Sequence, residues 1–254
     1  MCDTMEGIEC VARRLRDSAP VAIALSGGTD SLVLLAIAAA GRIHAAGVTV
    51  DTGMNPAGER ERAEQIARRL GVPSVIIPVN MLALPSVAAN APDRCYACKR
   101  RMMEEITAWA RDNGYRSVAD GTHADDRADT RPGMKALGEL GIISPFAECG
   151  IKKAEIAEFA ATLDVPVLPS SSCLATRFPG GAVLSPGEID RVREAEAVVR
   201  TRVKGYLRVR VDGTGAIVEC DPAECPDAMA MTEDLTRLGF SPVRVRPVSR
   251  EERE

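Results

Sequence analysis

The hexapeptide Ser26-Gly27-Gly28-Thr29-Asp30-Ser31 lies between the apolar runs Val21 to Leu25 and Leu32 to Ala40. A short β-branched run, a glycine corner and a long Leu/Ala run predict a strand, a turn and a helix. Such a turn aims its free backbone N–H groups and the positive end of the helix dipole at one point, which suits an anion. Gly27 and Gly28 let a phosphate approach the backbone, and the hydroxyls of Ser26 and Ser31 add donors. An ordinary βα corner capped by Asp30 or Ser31 would share this outline. No lysine stands where a Walker A loop places its phosphate lysine.

An amphipathic helix is predicted over 3–17, then strand 21–25, helix 31–40, strand 44–50, helix 57–70 and strand 74–79. This alternation predicts an α/β fold, a parallel sheet flanked by helices. Ligands of such sheets sit beyond the carboxyl ends of strands, where the hexapeptide falls and where Asp51 and Thr52 follow the second strand. Residues 81–90 read as a loop, about 94–113 as a helix, 117–119 as a strand and 151–163 as a helix. A Pro/Ser/Gly-rich stretch at 165–187 precedes helix 186–203, a hairpin at 206–211 and 215–220, helix 222–238 and strand 241–246, a small α+β domain. The expected division is a first domain at 1–164, a functional loop and linker at 165–185, and a small domain at 186–254.

Eight cysteines, in a chain whose Met1-Cys2-Asp3 start shows no secretory-leader pattern, are expected to serve thiolate or metal chemistry rather than a disulfide framework. Cys95 and Cys98 form a C-x-x-C at a helix start, where the dipole favours thiolates. With no second C-x-x-C, a further ligand must come from a distance. Cys2, Cys10, Cys149, Cys220 and Cys225 are expected to be small buried hydrophobes, with Cys220 and Cys225 close enough in sequence to coordinate together. The carboxylates after the strand at 117–119, Asp125 and Asp126 among them, suit Mg²⁺; a capped, solvated helix start is the plainer alternative. His123 is expected to be structural or to line the substrate. The net charge of −4, from 32 basic and 36 acidic residues, offers no global basic field, and 3% aromatics leave little for base stacking. No apolar run approaches the roughly 20 residues of a membrane span. A cytoplasmic location is expected.

The loop matches S-G-G-x-D-S and resembles that of the PP-loop ATP pyrophosphatases. Together with DRCYACK at 93–99, DGTHADDRADTRPG at 120–133, SPF at 144–146, GIKKAEI at 150–156 and CLATRFPGG at 173–181, it resembles the LarE family, in order over nearly the whole chain. The resemblance implies an adenine nucleotide α-hydrolase-like fold that binds ATP at Ser26, Gly27, Gly28, Thr29, Asp30 and Ser31, with Asp51, Thr52 and Gly121 contributing. It implies Mg²⁺ at Asp125 and Asp126, and Asp30, Lys99 and Cys173 as catalytic residues. Arg177, Glu196, Arg210 and Glu219 would meet the substrate, a pyridinium mononucleotide whose carboxylate is adenylated with loss of pyrophosphate and then thiolated as AMP leaves. Single-cysteine members sacrifice the sulfur of that cysteine, whereas Cys95, Cys98 and Cys173 imply a [4Fe–4S] member fed by sulfide or another sulfur donor. A homo-oligomer is expected. The hairpin departs from the family by carrying Ile217-Val218 where an arginine usually precedes the glutamate. A tRNA-thiolating enzyme is the first rival, disfavoured by the acidity and the few aromatics. A nucleotide-binding regulator without turnover is the second.

Overall fold

The first strand is short and its helix is apolar on every side, which places both in the middle of a layered core. The computed structural model describes residues 2–126, 133–169, 171–225, 228–249 and 252. Its contacts divide the chain into two compact units, residues 1–52, 58–84 and 93–168, and residues 53–57, 85–92 and 169–254.

In the first unit, helix α1 (Cys2–Asp17) leads into β1 (Val21–Ala24), followed by α2 (Thr29–Ala40), β2 (Ala45–Asp51), α3 (Glu59–Leu70) and β3 (Ser74–Pro78). The four-residue helix α4 (Pro85–Ala88) belongs to the second unit. Helix α5 (Arg94–Asp112), β4 (Ser117–Ala119), α6 (Gly133–Glu139), α7 (Pro145–Glu148) and α8 (Lys153–Thr162) complete the first. The sheet has the order β3-β2-β1-β4 with every pair parallel. Strands are laid down outward from β1 to β3, and the chain then returns to the other side of β1 for β4. This reversal makes the carboxyl ends of β1 and β4 a topological switch point, where open α/β sheets bind ligands. An isolated parallel bridge from Ala119 to Ile143 extends the sheet beyond β4.

Leu32, Leu34, Leu35 and Ile37 of α2 are fully buried, in one cluster with Val11 and Leu15 of α1, Ile23 of β1 and Ile156 and Phe159 of α8. Gly7 brings α1 close to α8, since a Cβ there would lie 2.7 Å from the Phe159 ring. Cys10 on α1 and Cys149 after α7 form a disulfide.

The second unit has α9 (Pro186–Arg200), β5 (Leu207–Asp212), β6 (Gly215–Cys220), α10 (Ala228–Arg237) and β7 (Val243–Pro247). Its sheet has the order β5-β6-β7, antiparallel then parallel. Alternate residues Leu207, Val209, Ala216 and Val218 are buried, as are Val192, Val199 and Leu235 of the helices. The 81–90 segment, expected as a loop, instead forms a 3₁₀ turn at Met81–Ala83 and then α4. Its end is held by backbone bonds that no periodicity reveals: Leu184 N–H to Ala88 O (2.7 Å) and Gly181 N–H to Asn90 O (3.0 Å). A second disulfide joins Cys220 to Cys225. No helix of the described residues is long and apolar enough to cross a membrane.

Candidate active site

The hexapeptide loop turns sharply from β1 into α2. Gly27 has φ +83°, and a Cβ there would collide with the backbone carbonyl of Glu59 at the start of α3. Only glycine fits that conformation and that contact together. Arg62 donates to Gly27 O at 3.2 Å. Ser26 N–H donates to Ser31 Oγ at 3.2 Å, the two serine hydroxyls lie 3.1 Å apart, and Ser31 Oγ donates to Gly28 O at 3.0 Å. Thr29 turns away from the loop: its hydroxyl accepts Leu168 N–H at 2.9 Å, fastening the chain after α8. Gly28, the cap residue of α2, receives no side-chain cap, so the helix dipole at this end is not countered from its cap position.

The end of β4 meets this loop directly. A Cβ on Gly121 would lie 3.1 Å from Ser31 N and 3.2 Å from Asp30 Cβ. Asp120 is almost wholly buried and accepts from Lys99 Nζ (3.1 Å), Thr122 Oγ1 (2.9 Å) and Ser144 Oγ (2.8 Å), so its buried oxygens are matched by donors. Lys99 of α5 is thereby drawn to the switch point. Asp30 pairs with Lys153 Nζ, and Lys153 N–H donates to Asp125 at 2.8 Å, so one residue at the start of α8 ties both loops together. The side chain of Asp126 is buried and accepts His123 N–H at 3.1 Å, which commits one of its oxygens to the turn. Asp129 lies outside the described residues. Among the described residues no three His, Cys, Asp or Glu side chains converge on one point. Asp51 ends β2 and pairs with Arg60 of α3 at 2.8 Å, a bond that raises the arginine pKa. Thr52 beside it is buried.

The cysteines divide by chemistry. The disulfides Cys10–Cys149 and Cys220–Cys225 correct the expectation that these four are unpaired hydrophobes. Sequence separations of 139 and 5 show why spacing could not reveal them: one pair is made by helix packing and the other by a turn leaving β6. Cys95, Cys98 and Cys173 remain thiols. Cys95 and Cys98, three apart in the first turn of α5, share a helix face, and Arg94 Nη2 lies 3.3 Å from Cys95 Sγ.

Cys173 sits in the second unit, just before a 3₁₀ turn at Leu174–Arg177. Its loop is rigidly held. Leu174 N–H donates to Met54 O at 2.9 Å, and Arg177, only 2% exposed, spans the turn from beneath. The guanidinium grips Glu196 of α9 through Nε (2.5 Å) and Nη2 (3.3 Å), and its Nη1 donates to Ser172 Oγ and Thr176 Oγ1, each at 2.7 Å. Glu196 also accepts Val209 N–H at 3.0 Å. Arg177 and Glu196, expected to touch substrate, are thus placed as the buried brace of the cysteine loop.

Arg210 and Glu219 are placed differently. In the register of the small sheet, Arg208 faces Glu219 and Glu219 faces Arg246. Glu219 pairs with Arg210 Nε at 2.7 Å and with Arg246, and Tyr206 OH donates to it at 3.4 Å. Burial alone would push the Glu219 carboxyl up, but the two guanidiniums hold it below the ordinary range. Burial raises the Tyr206 phenol and lowers the Arg208 guanidinium. Three arginines around one carboxylate leave surplus positive charge on this sheet face.

Residues 8–130, which carry the loop and its sheet, match the asparagine synthase family. Uncharacterized protein slr1717 of Synechocystis sp. is 34% identical over 206 residues, 80% of this chain and 76% of that protein. Uncharacterized protein MJ0830 of Methanocaldococcus jannaschii is 32% identical over 201 residues, 79% and 77% of the two chains. Pyridinium-3,5-bisthiocarboxylic acid mononucleotide synthase of Lactiplantibacillus plantarum is 29% identical over 234 residues, 89% and 85%. The chain belongs to the LarE family. As a LarE-family protein with a PP-loop fold, it is an enzyme of ATP-dependent sulfur transfer.

Sequence reasoning missed several residues of this LarE-family site. Asp120 and Lys153 lie inside quoted motifs, Lys153 as one of the two lysines of GIKKAEI, but sequence alone does not say which of the pair reaches the loops. Arg246 and Tyr206 lie in no motif, and only strand register brings them to Glu219.

Proposed function

We propose that the enzyme adenylates a carboxylate of a pyridinium mononucleotide and then converts it to a thiocarboxylate. In the first half-reaction a carboxylate oxygen attacks the α-phosphorus of ATP, and the bond to the β-phosphate oxygen breaks to release pyrophosphate. In the second, hydrosulfide sulfur attacks the acyl carbon, the C–O bond breaks, and AMP leaves with the electron pair. The observation that carries this reading is the Gly27–Gly28 corner, where the helix start at Gly28 has no side-chain cap and faces the switch point. Charge that develops on pyrophosphate is stabilised there by backbone N–H groups already in position. Lys99 and Lys153, held by Asp120 and Asp30, add cationic charge at the same strand ends.

Mg²⁺ is proposed to accompany ATP, held by Asp125 with water and phosphate oxygens; such a hard ion takes one or two carboxylates and keeps several waters. In the second unit Arg210, with Arg208 beside it, is proposed to meet the substrate phosphate, because Arg210 keeps a third of its side chain exposed while Arg177 is enclosed.

Cys95, Cys98 and Cys173 are proposed to hold a [4Fe–4S] cluster. The chemistry of the donor set supports this: both disulfides draw on other cysteines, and Cys95, Cys98 and Cys173 remain thiols. When bound, such a cluster would supply the sulfur that is transferred. The chain's own residues orient the acceptor, hold the ATP phosphates and fix the loop that carries Cys173.

ATP labelled in the α-phosphate tests the first half-reaction: labelled AMP, formed only with a pyridinium biscarboxylate mononucleotide present, is expected, and labelled ADP would refute it. Iron and sulfide assays on anaerobically reconstituted protein test the second. Cys95→Ala, Cys98→Ala and Cys173→Ala are each expected to lose iron. Retention of one turnover by the first two, with dehydroalanine at position 173 of the native protein, would establish sacrifice of the Cys173 sulfur instead.

A further inference from the structure

His123 is more than nine-tenths buried in the loop after β4, yet its Nδ1 has no hydrogen-bond partner among the described residues. A buried nitrogen left unmatched is uncommon and calls for a ligand. Its surroundings have the form of a metal ligand and its support. Nε2 lies 3.5 Å from Oδ1 of the buried Asp126 side chain, the arrangement in which a carboxylate orients an imidazole and leaves the other nitrogen to a metal. On the other side Nδ1 faces Asp125 Oδ2 at 4.0 Å, and Asp125 is half exposed. Two donors each about 2.1 Å from one ion are separated by roughly 3.0–3.4 Å, so a shift of Asp125 Oδ2 of under about 1 Å closes the gap, and because that oxygen has a second lone pair it can meet the ion while it accepts Lys153 N–H. Asp125 is tied to Asp30 of the loop after β1 through the length of Lys153, whose N–H meets Asp125 and whose Nζ meets Asp30, which links this pair to the proposed phosphate site.

We propose that His123 Nδ1 and Asp125 together bind the divalent ion that serves the ATP half-reaction. The inference rests on the ATP-site reading above and adds the nitrogen ligand. An imidazole nitrogen suits Mn²⁺ or another transition ion better than Mg²⁺, which prefers oxygen throughout. Water and phosphate oxygens fill the remaining positions. The nitrogen ligand therefore lets the site hold Mn²⁺ in the place of the Mg²⁺ proposed above, which makes Mn²⁺ a fitting probe of it.

The chain has two histidines, so a nitrogen signal can be assigned. Mn²⁺ is added to the full-length protein with and without α,β-methylene ATP and followed by pulsed electron paramagnetic resonance. A directly coupled imidazole nitrogen is expected in the native protein and in His44→Gln. It should vanish in His123→Gln, with Mn²⁺ affinity lowered about tenfold there and in Asp125→Asn. Uniform ¹⁵N-histidine labelling of the native protein makes the same test without substitution, since it must change the coupling pattern. Bound Mn²⁺ that shows only water and phosphate coupling, or no Mn²⁺ binding at all, overturns the inference. Nitrogen-coupled Mn²⁺ in a protein that fails to bind α,β-methylene ATP would uphold the metal site and refute the ATP reading.

Discussion

Replacing Arg177 by alanine separates a brace from a ligand contact. In the structure the guanidinium is 2% exposed, grips Glu196 through two nitrogens and gives its remaining nitrogen to the turn at 172–176. Its removal leaves Glu196, itself buried, as a charge supported by Val209 N–H and by the more distant Arg200 guanidinium, without its close ion pair. Breaking such a pair from one side costs about 3–5 kcal/mol. With a urea dependence of about 2 kcal/mol per molar for a unit of this size, the midpoint should fall by about 1.5–2.5 M. Arg177→Met combined with Glu196→Leu removes both charges, and should recover most of that loss because no uncompensated carboxylate stays behind. Urea unfolding of the three proteins, followed by circular dichroism, measures this. A midpoint shift below about 0.3 M in Arg177→Ala, together with lost affinity for the acceptor, would refute the brace and make Arg177 a substrate contact.

Gly27→Ala should abolish pyrophosphate formation, because a side chain at φ +83° costs about 1–2 kcal/mol and also meets the Glu59 backbone; full ATP–pyrophosphate exchange activity in this variant would contradict the close approach. Glu219 has a lowered folded-state pKa, so its stabilising contribution is complete above the unfolded value of about 4.3 and disappears as pH falls through the lower folded one. The stability difference between native protein and Glu219→Gln should therefore shrink as pH drops from about 5 towards 3, and a difference that grew on acidification would reverse the sign. Cys10→Ser with Cys149→Ser should cost about 2–5 kcal/mol in thermal unfolding, since that disulfide closes a loop of 139 residues; an unchanged midpoint would show that it does not hold the first unit together.

Periodicity and punctuation made the first unit legible from the chain alone. The apolar runs on either side of Ser26–Ser31 could form little else than a buried strand and helix, and the alternation that follows leaves a parallel sheet as the arrangement that covers every apolar face. The glycine corner was legible for the same local reason: a glycine pair between strand and helix is a statement about φ angles and exposed N–H groups, and both are properties of consecutive residues. The C-x-x-C was readable on one helical turn.

Tertiary structure decided whatever depends on residues far apart in the chain. It paired Cys10 with Cys149, because α1 packs beside α7, and left the thiols of Cys95, Cys98 and Cys173. Arg177 and Arg210, both arginines near a glutamate, look alike in sequence. One is enclosed beneath a turn and the other opens onto a sheet face, since burial is set by the elements packed above each. Register across β5, β6 and β7 set three arginines around Glu219, and the return of the chain to β4 brought Gly121 against the loop after β1, with Asp125 joined to that loop through Lys153. Local sequence carries backbone conformation and the order of elements. Which charges meet, and which nitrogen is left without a partner, depends on packing between segments that the chain separates by a hundred residues.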